Sequence, residues 1–315
     1  MRTHFRHGVF AAALTAGTLL AVSGTQTAEA EVNSSRDHLV VYDNNIENML
    51  PASCADGYLY DRFITYLKKQ PVSPDIFTVQ QISDIGQLNA FTRRLSDELP
   101  GTYAGKVAIA EPGSMGYTST CGKMKNQQTN AVIYRSDRLV YEDATRWRSD
   151  APSNPEKGTG ECRNLTPTKT SQDRVHNIAV RLHDKLADKD VTIASIHWPT
   201  GTWHGPDCAG ENISEANQAV DRLGGTLRIV AGDTNATTGR AGWWNKARGY
   251  GFRDPISEKC GGRVCTKADN TFGAHRIDFL LAKGGGGFTG VGTVTEAMTG
   301  GKYSQHRAVT ARVKY

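Results

Sequence analysis

Short apolar runs separated by polar clusters set the pattern of this chain. Residues 38–42 (HLVVY), 75–79 (DIFTV), 107–110, 130–134, 177–182, 191–196, 227–231, 277–282 and 309–313 each read as a strand buried on at least one side. Three stretches instead repeat their apolar positions at helical spacing. Over 58–70 these are Leu59, Phe63, Ile64 and Leu67, with Asp56 placed to cap the helix. Over 85–99 they are Leu88, Phe91, Leu95 and Leu99, and a third helix is expected over 211–223, stopped by Gly224 and Gly225. The segments 111–128 and 150–172 are rich in Gly, Pro, Ser, Thr and Asn and read as long loops. The glycine run 284–287 reads as a flexible surface turn. Many strands with a few helices between them predict an α/β sandwich, two sheets inside and helices outside. No low-complexity linker interrupts 31–315, which is read as one domain.

The first thirty residues do not belong to that pattern. Arg2 and Arg6 precede an apolar stretch from Val9 to Val22, and Ala28-Glu29-Ala30 gives a small-x-small ending, the layout of a signal peptide over 1–30. A secreted, extracellular protein is therefore expected, with no transmembrane segment, since no later stretch approaches ~20 consecutive apolar residues, and it is expected to act as a monomer. Six cysteines follow the leader: Cys54, Cys121, Cys162, Cys208, Cys260 and Cys265. An even number in an exported chain suggests three disulfides, with Cys260 and Cys265 near enough to close a small loop. With 37 Lys+Arg against 32 Asp+Glu the chain is mildly basic, compatible with a polyanionic substrate.

Candidate chemistry collects where strands end. Asp43-Asn44-Asn45-Ile46-Glu47 follows the first strand, and Gln80-Gln81 follows the second. Ala110-Glu111-Pro112, Ser195-Ile196-His197-Trp198 and Gly232-Asp233-Thr234-Asn235 end three more. Arg276-Ile277-Asp278-Phe279 opens another strand, and Ser304-Gln305-His306-Arg307 precedes the last. In order along the chain, this series resembles the motifs of the endonuclease/exonuclease/phosphatase superfamily, which includes the pancreatic-type deoxyribonucleases. Gly232–Asn235 is similar to its Gly-Asp-Phe-Asn motif, and Arg276–Phe279 to its Arg-Ile-Asp-Tyr motif. Ser304–His306 is similar to its Ser-Asp-His motif, and Pro74 through Gln81 to its Pro-Asp-Ile…Gln-Glu motif. The resemblance implies a four-layer α/β sandwich with two central mixed β-sheets flanked by helices.

It also implies roles. Cleaving a phosphodiester needs a base for the nucleophile, an acid for the leaving oxygen, and donors for the phosphoryl oxygens. His197 and His306 would supply donors or proton transfer. By resemblance Asp278 pairs with His306 and Glu111 with His197, Asp233 orients or deprotonates the attacking water, and Asn235 and Asn45 act through their amides. The pattern breaks at two places. Gln81 and Gln305 stand where the family has carboxylates on its metal side, and a neutral amide is a poorer ligand for Mg²⁺ or Ca²⁺. Glu47 is the compensating acid, with Asp43 behind it. The expectation is thus a nuclease or related phosphodiesterase acting on DNA or RNA with weakened or absent metal dependence. The alternatives are a metal-independent ribonuclease using the 2′-hydroxyl, an enzyme acting on a phospholipid such as sphingomyelin, and a non-catalytic binding module. Lys123, Lys125, Arg135, Arg138, Arg146, Arg148 and Arg163 would contact phosphates if they ring the site, or form a solvated face if they do not. The tryptophans Trp198, Trp203, Trp243 and Trp244 would stack on bases, dip into a headgroup layer, or fill small cores under loops.

Overall fold

The structure, a computed structural model, describes residues 30–47, 60–113, 127–149, 173–199, 206–239, 242–261 and 265–315. The predicted leader, but for Ala30, lies outside them, as do Asp56, Cys54, Cys121, Cys162, Lys123, Lys125, Arg163, Trp203 and nearly all of the two long loops. Among the described residues no helix is long and apolar enough to cross a membrane.

Two sheets stack face to face. The first holds β1 (His38–Asn45), β2 (Ile76–Ile82), β3 (Tyr103–Val107), β4 (Thr129–Arg135), β10 (Gly287–Thr293) and β11 (Val309–Lys314), in the order β10-β11-β1-β2-β4-β3. The second holds β5 (Leu139–Arg148), β6 (His176–Asp184), β7 (Lys189–His197), β8 (Leu227–Asp233) and β9 (Asp278–Lys283), in chain order. Both are mixed: β1 runs parallel to β2 and β7 parallel to β8, while their other neighbours are antiparallel.

Side-chain alternation builds the layers. In β1, Leu39 and Val41 point into the core between the sheets, where Ile76, Ile193, Ile229 and Leu280 meet them. Val40 and Tyr42 point the other way, onto α1 (Asp61–Lys68) and α2 (Ile85–Glu98) through Phe63, Leu67, Leu88 and Phe91. In the second sheet Ala194 and Ile196 face α3 (Pro206–Leu223) and α4 (Trp243–Gly249), against Ile213, Ala216 and Trp243. The result is the four-layer α/β sandwich.

Each parallel pair needs a crossover, and α1 and α3 supply them. Asp84 caps α2 by accepting from the Gln87 N–H at 2.7 Å. Three short helices were not legible from spacing: α4, α5 (Pro255–Lys259), capped by Asp254, and α6 (Glu296–Thr299). The predicted strand 107–110 is displaced. The strand is β3, ending at Val107, because its register with β4 runs from Tyr103 opposite Arg135 to Val107 opposite Ala131.

The glycine run is not a free surface turn. It carries the chain from β9 in one sheet to β10 in the other. A Cβ on Gly285 would sit 2.2 Å from the Lys314 carbonyl oxygen, so the passage demands a residue without one. Cys260 and Cys265 form the short disulfide loop expected, and Cys208 is disulfide-bonded as well.

Candidate active site

Parallel strands bring their C-terminal ends to one edge, and β1, β2, β7 and β8 all end there. The antiparallel neighbours β9 and β11 begin at that edge, with Asp278 opposite Asp233 and Val309 opposite Asp43. Residues scattered from 43 to 306 therefore converge. Gly232 makes the last step into the site possible. It has φ +146°, and a Cβ there would lie 2.0 Å from the Ile196 carbonyl oxygen on β7.

Asp233 is the centre. Its Oδ2 accepts from Asn45 Nδ2 at 3.0 Å, and its Oδ1 accepts from the Asn235 backbone N–H at 2.8 Å. His197 Nε2 lies 3.6 Å and His306 Nδ1 3.8 Å from the same Oδ2. His306 Nδ1 donates to both oxygens of Asp278, at 3.0 and 3.1 Å. The ring of Phe272 lies 4.6 Å from the His306 ring, tilted by 31°.

The two imidazoles are electrostatically opposite. Burial pushes His197 down to about 3, and the nearby Asp233 offsets this only in part. Burial also presses on His306, but Asp278 and Asp233 overcome it and lift the ring to about 10. At neutral pH His197 is neutral and His306 an imidazolium. Burial, reinforced by the Asp278 charge, raises Asp233; both histidines pull the other way. Asp43, held by Thr78 Oγ1 at 2.7 Å and Gln80 Nε2 at 2.9 Å, is pushed well above the carboxylate range by burial and by Asp278. Among the described residues, both ring nitrogens of His197, Asp43 Oδ2 and Gln80 Oε1 are buried without a hydrogen-bond partner. Buried polar atoms seldom stay unpaired in a finished site, so a polar ligand is the expected partner of the His197 ring.

Backbone strain gathers in the same place. Among the described residues four that are not glycine have positive φ, and three of them are Glu47 (49°), Gln81 (59°) and Asn235 (49°). Gln81 sits in a bulge where the β2–β4 register shifts between Val79 and Ile82. Its N–H faces Asn130 Oδ1 at 3.4 Å. Glu47 is turned inward. Its Oε2 accepts from the Gln305 N–H at 2.7 Å and Ser304 Oγ at 3.1 Å, and burial raises it above the usual range.

Asn45, Glu47, Asp233, Asn235, Asp278, His197 and His306 are thus brought together, with Gln81 on the adjoining strand end. The pairing of Glu111 with His197 is corrected. Glu111 is exposed, four residues past the end of β3, and the carboxylate beside the fully buried His197 is Asp233. Asn235 turns its amide to the Trp198 carbonyl at 2.8 Å, so it shapes the loop and holds Asp233 through its backbone. Arg135 and Arg138 do not ring the site. Both are buried and bind Asp75, and Arg138 also binds Asp184 at 2.6 Å. Trp198 and Trp243 are fully buried and pack edge to face at 5.3 Å as core. Sequence reasoning missed Thr78 and Phe272. A polar residue inside an otherwise apolar strand was the available signal for Thr78.

A hard divalent cation, which the resemblance implies, finds a poor donor set. Both Asp278 oxygens receive the His306 N–H, both Asp233 oxygens are hydrogen-bonded, and Asp43 lies deeper with a raised pKa. Asp233, Asp278 and His306 do lie close enough to share an ion, but one would have to displace the His306 proton. Among the described residues Glu47 remains the acid near the mouth, beside the neutral amide of Asn45, and Mg²⁺ prefers anionic oxygen.

No protein-family model matches the chain, and no curated protein matches it by sequence. Solved structures do match. The catalytic domain of human Nocturnin with bound sulfate shares 15% identity at a TM-score of 0.61, covering 88% of this chain and 94% of that one. An endonuclease/exonuclease/phosphatase protein from Bacteroides vulgatus shares 16% at 0.60, covering 88% and 98%. D. rerio TDP2 complexed with a single-strand DNA product shares 13% at 0.55, covering 88% and 99%.

Proposed function

On a chain that carries the endonuclease/exonuclease/phosphatase fold, we propose a phosphodiesterase that cleaves nucleic acid. One observation carries the reading: two imidazoles of opposite protonation approach a single buried carboxylate oxygen, His197 at 3.6 Å and His306 at 3.8 Å. Asp233, basic for a carboxylate, takes the proton of the attacking water. His306, held charged by Asp278, faces the phosphoryl group as an electrostatic clamp and proton source. Neutral His197 offers a ring N–H to a phosphoryl oxygen, answering its own missing partner. Asn45 fixes Asp233 through its amide. No step is assigned to a metal, since the Asp233 and Asp278 oxygens are already hydrogen-bonded and Gln81 and Gln305 are neutral amides. The D. rerio TDP2 neighbour, complexed with a DNA strand, supports the substrate class. The leader pattern supports action outside the cell.

The same opposition favours a second reading. A neutral imidazole and an imidazolium are the base and acid that attack by an RNA 2′-hydroxyl requires.

The full chain is to be incubated with single-stranded DNA, RNA and sphingomyelin, each with Mg²⁺, with Ca²⁺ and with EDTA. Nucleic-acid cleavage that persists in EDTA is the expected result. RNA-only cleavage through a cyclic phosphate selects the second reading. Lipid hydrolysis alone, or no turnover on any substrate, overturns the proposal.

A further inference from the structure

Beside the site lies a cavity of about 640 Å³ that the chemistry above does not use. It is walled by Thr237, Trp244, Arg248, Phe252, Asp254 and Arg276, among others. Two of its walls grow directly out of the site. Thr237 is two residues beyond Asn235, and Arg276 two before Asp278, so each begins within ~7 Å of chain from a site residue.

The lining has a definite chemistry. Arg276 donates to Asp254 Oδ2 at 2.5 Å, and its guanidinium lies 4.4 Å from the centre of the Phe279 ring. Its Nε is buried without a hydrogen-bond partner among the described residues. Arg253 is matched by Glu258 at 2.6 Å, whereas Arg248 is exposed at the rim. Trp244, half-buried, supplies the aromatic surface, with the buried Phe252 behind it. A half-satisfied guanidinium, a second one at the rim and an aromatic wall suit a flat ring joined to an anion.

We propose that this cavity is a second nucleotide subsite, taking an unpaired nucleotide that flanks the scissile bond. Its base packs on the aromatic wall and its phosphate meets Arg276 and Arg248. The inference rests on the phosphodiesterase reading and narrows the substrate to single-stranded chains long enough to reach the cavity. A base held in a duplex cannot enter such a pocket without leaving its stack.

The test compares a dinucleotide with a single-stranded octanucleotide, using the full chain and Arg248→Glu. Arg248 is exposed, so the fold tolerates the change. In the unaltered protein KM should fall about tenfold from the short to the long substrate, the lower range for one stacked, charge-paired nucleotide. In Arg248→Glu that ratio should approach one, and the salt slope of octanucleotide binding, read by fluorescence anisotropy, should decrease by about one. Equal KM for both lengths in the unaltered protein, or a ratio untouched by the substitution, overturns the subsite. Should no substrate turn over, the phosphodiesterase reading fails instead. Anisotropy with the labelled octanucleotide then decides the subsite alone: unchanged affinity in Arg248→Glu overturns it, and about tenfold weaker binding supports it.

Discussion

The sandwich has a polar cluster at each end, and they are built on opposite rules. At the end where β1 and β2 begin, Asp75 and Asp184 are met by Arg135 and Arg138. Arg138 spans the sheets, binding Asp75 at 3.3 Å and Asp184 at 2.6 Å, while Asp184 also accepts from the Tyr315 hydroxyl at 2.8 Å. Burial pushes Asp184 up, but Arg138 and Tyr315 outweigh it and hold the group below the usual range. At the other end Asp43, Asp233 and Asp278 crowd together, with no guanidinium bonded to any of them among the described residues. Repulsion there is relieved by the raised pKa values of Asp43 and Asp233 and by one imidazolium. The first cluster gives each carboxylate a guanidinium and ties the sheets together, although burial still raises Asp75 and leaves Arg135 Nε and Nη1 without a hydrogen bond among the described residues. The second holds one imidazolium among three carboxylates and leaves both His197 ring nitrogens without a partner among the described residues, which a polar ligand would fill.

Asp233→Asn should break the second cluster as chemistry. Turnover on the best oligonucleotide should drop at least about 10²–10⁴-fold, the usual worth of a positioned base. The melting temperature should hold or rise, because one of several crowded charges is gone. A large loss of stability would mean that Asp233 is structural.

Arg138→Met does the reverse. It leaves Asp75 and Asp184 buried beside too little positive charge and should cost about 3–5 kcal/mol by denaturant unfolding, while the folded fraction keeps its specific activity. A mild effect would erase the distinction between the two ends.

Titration sharpens it further. His306, raised to about 10 from 6.5, contributes stability that is complete below pH 6.5 and lost as pH rises through 10, and turnover should fall on that same alkaline limb. His197, lowered to about 3, contributes in the other sense: stability erodes as pH falls from 6.5 toward 3, because the unfolded chain takes up a proton that the folded one refuses. His197→Gln should flatten that acid-side loss, measured by unfolding at pH 4 against pH 7. Equal slopes in both proteins would place its titration elsewhere.

The smallest expected effect belongs to the paired change Gln81→Glu with Gln305→Asp. It should add metal affinity, so that cleavage becomes more sensitive to EDTA than in the unaltered chain. An unchanged EDTA response would show that these two positions do not face a cation.

Much of this was legible from residues alone. The apolar runs marked β1, β2, β4, β6, β7, β8 and β9 because these strands are mostly buried on both faces, and β11 because its alternate residues are buried. β5 was missed because its sequence LVYEDATRWR is mostly exposed, and β10 because GFTGVGT is glycine-rich. The polar strand ends pointed to His197, Asp233, Asp278 and His306, since strand direction alone delivers them to one edge. Partner choice was not legible. Glu111 and Asp233 are equally acidic in a sequence, and only the adjacency of β7 to β8 gives His197 to Asp233. The burial of Arg135 and Arg138 was equally hidden, because a cation beside a strand reads the same whether it meets solvent or a buried aspartate.

The pairing of β1 with β11 has a consequence for how the molecule is made. Val41 accepts a side-chain hydrogen bond from Thr310, 269 residues later, and β11 separates β1 from β10 in the first sheet. A growing chain that has already synthesised ten strands still lacks the one that joins β1 to β10. Completion of that sheet is therefore deferred until β11 has been made, and such distant contacts make its closure slow.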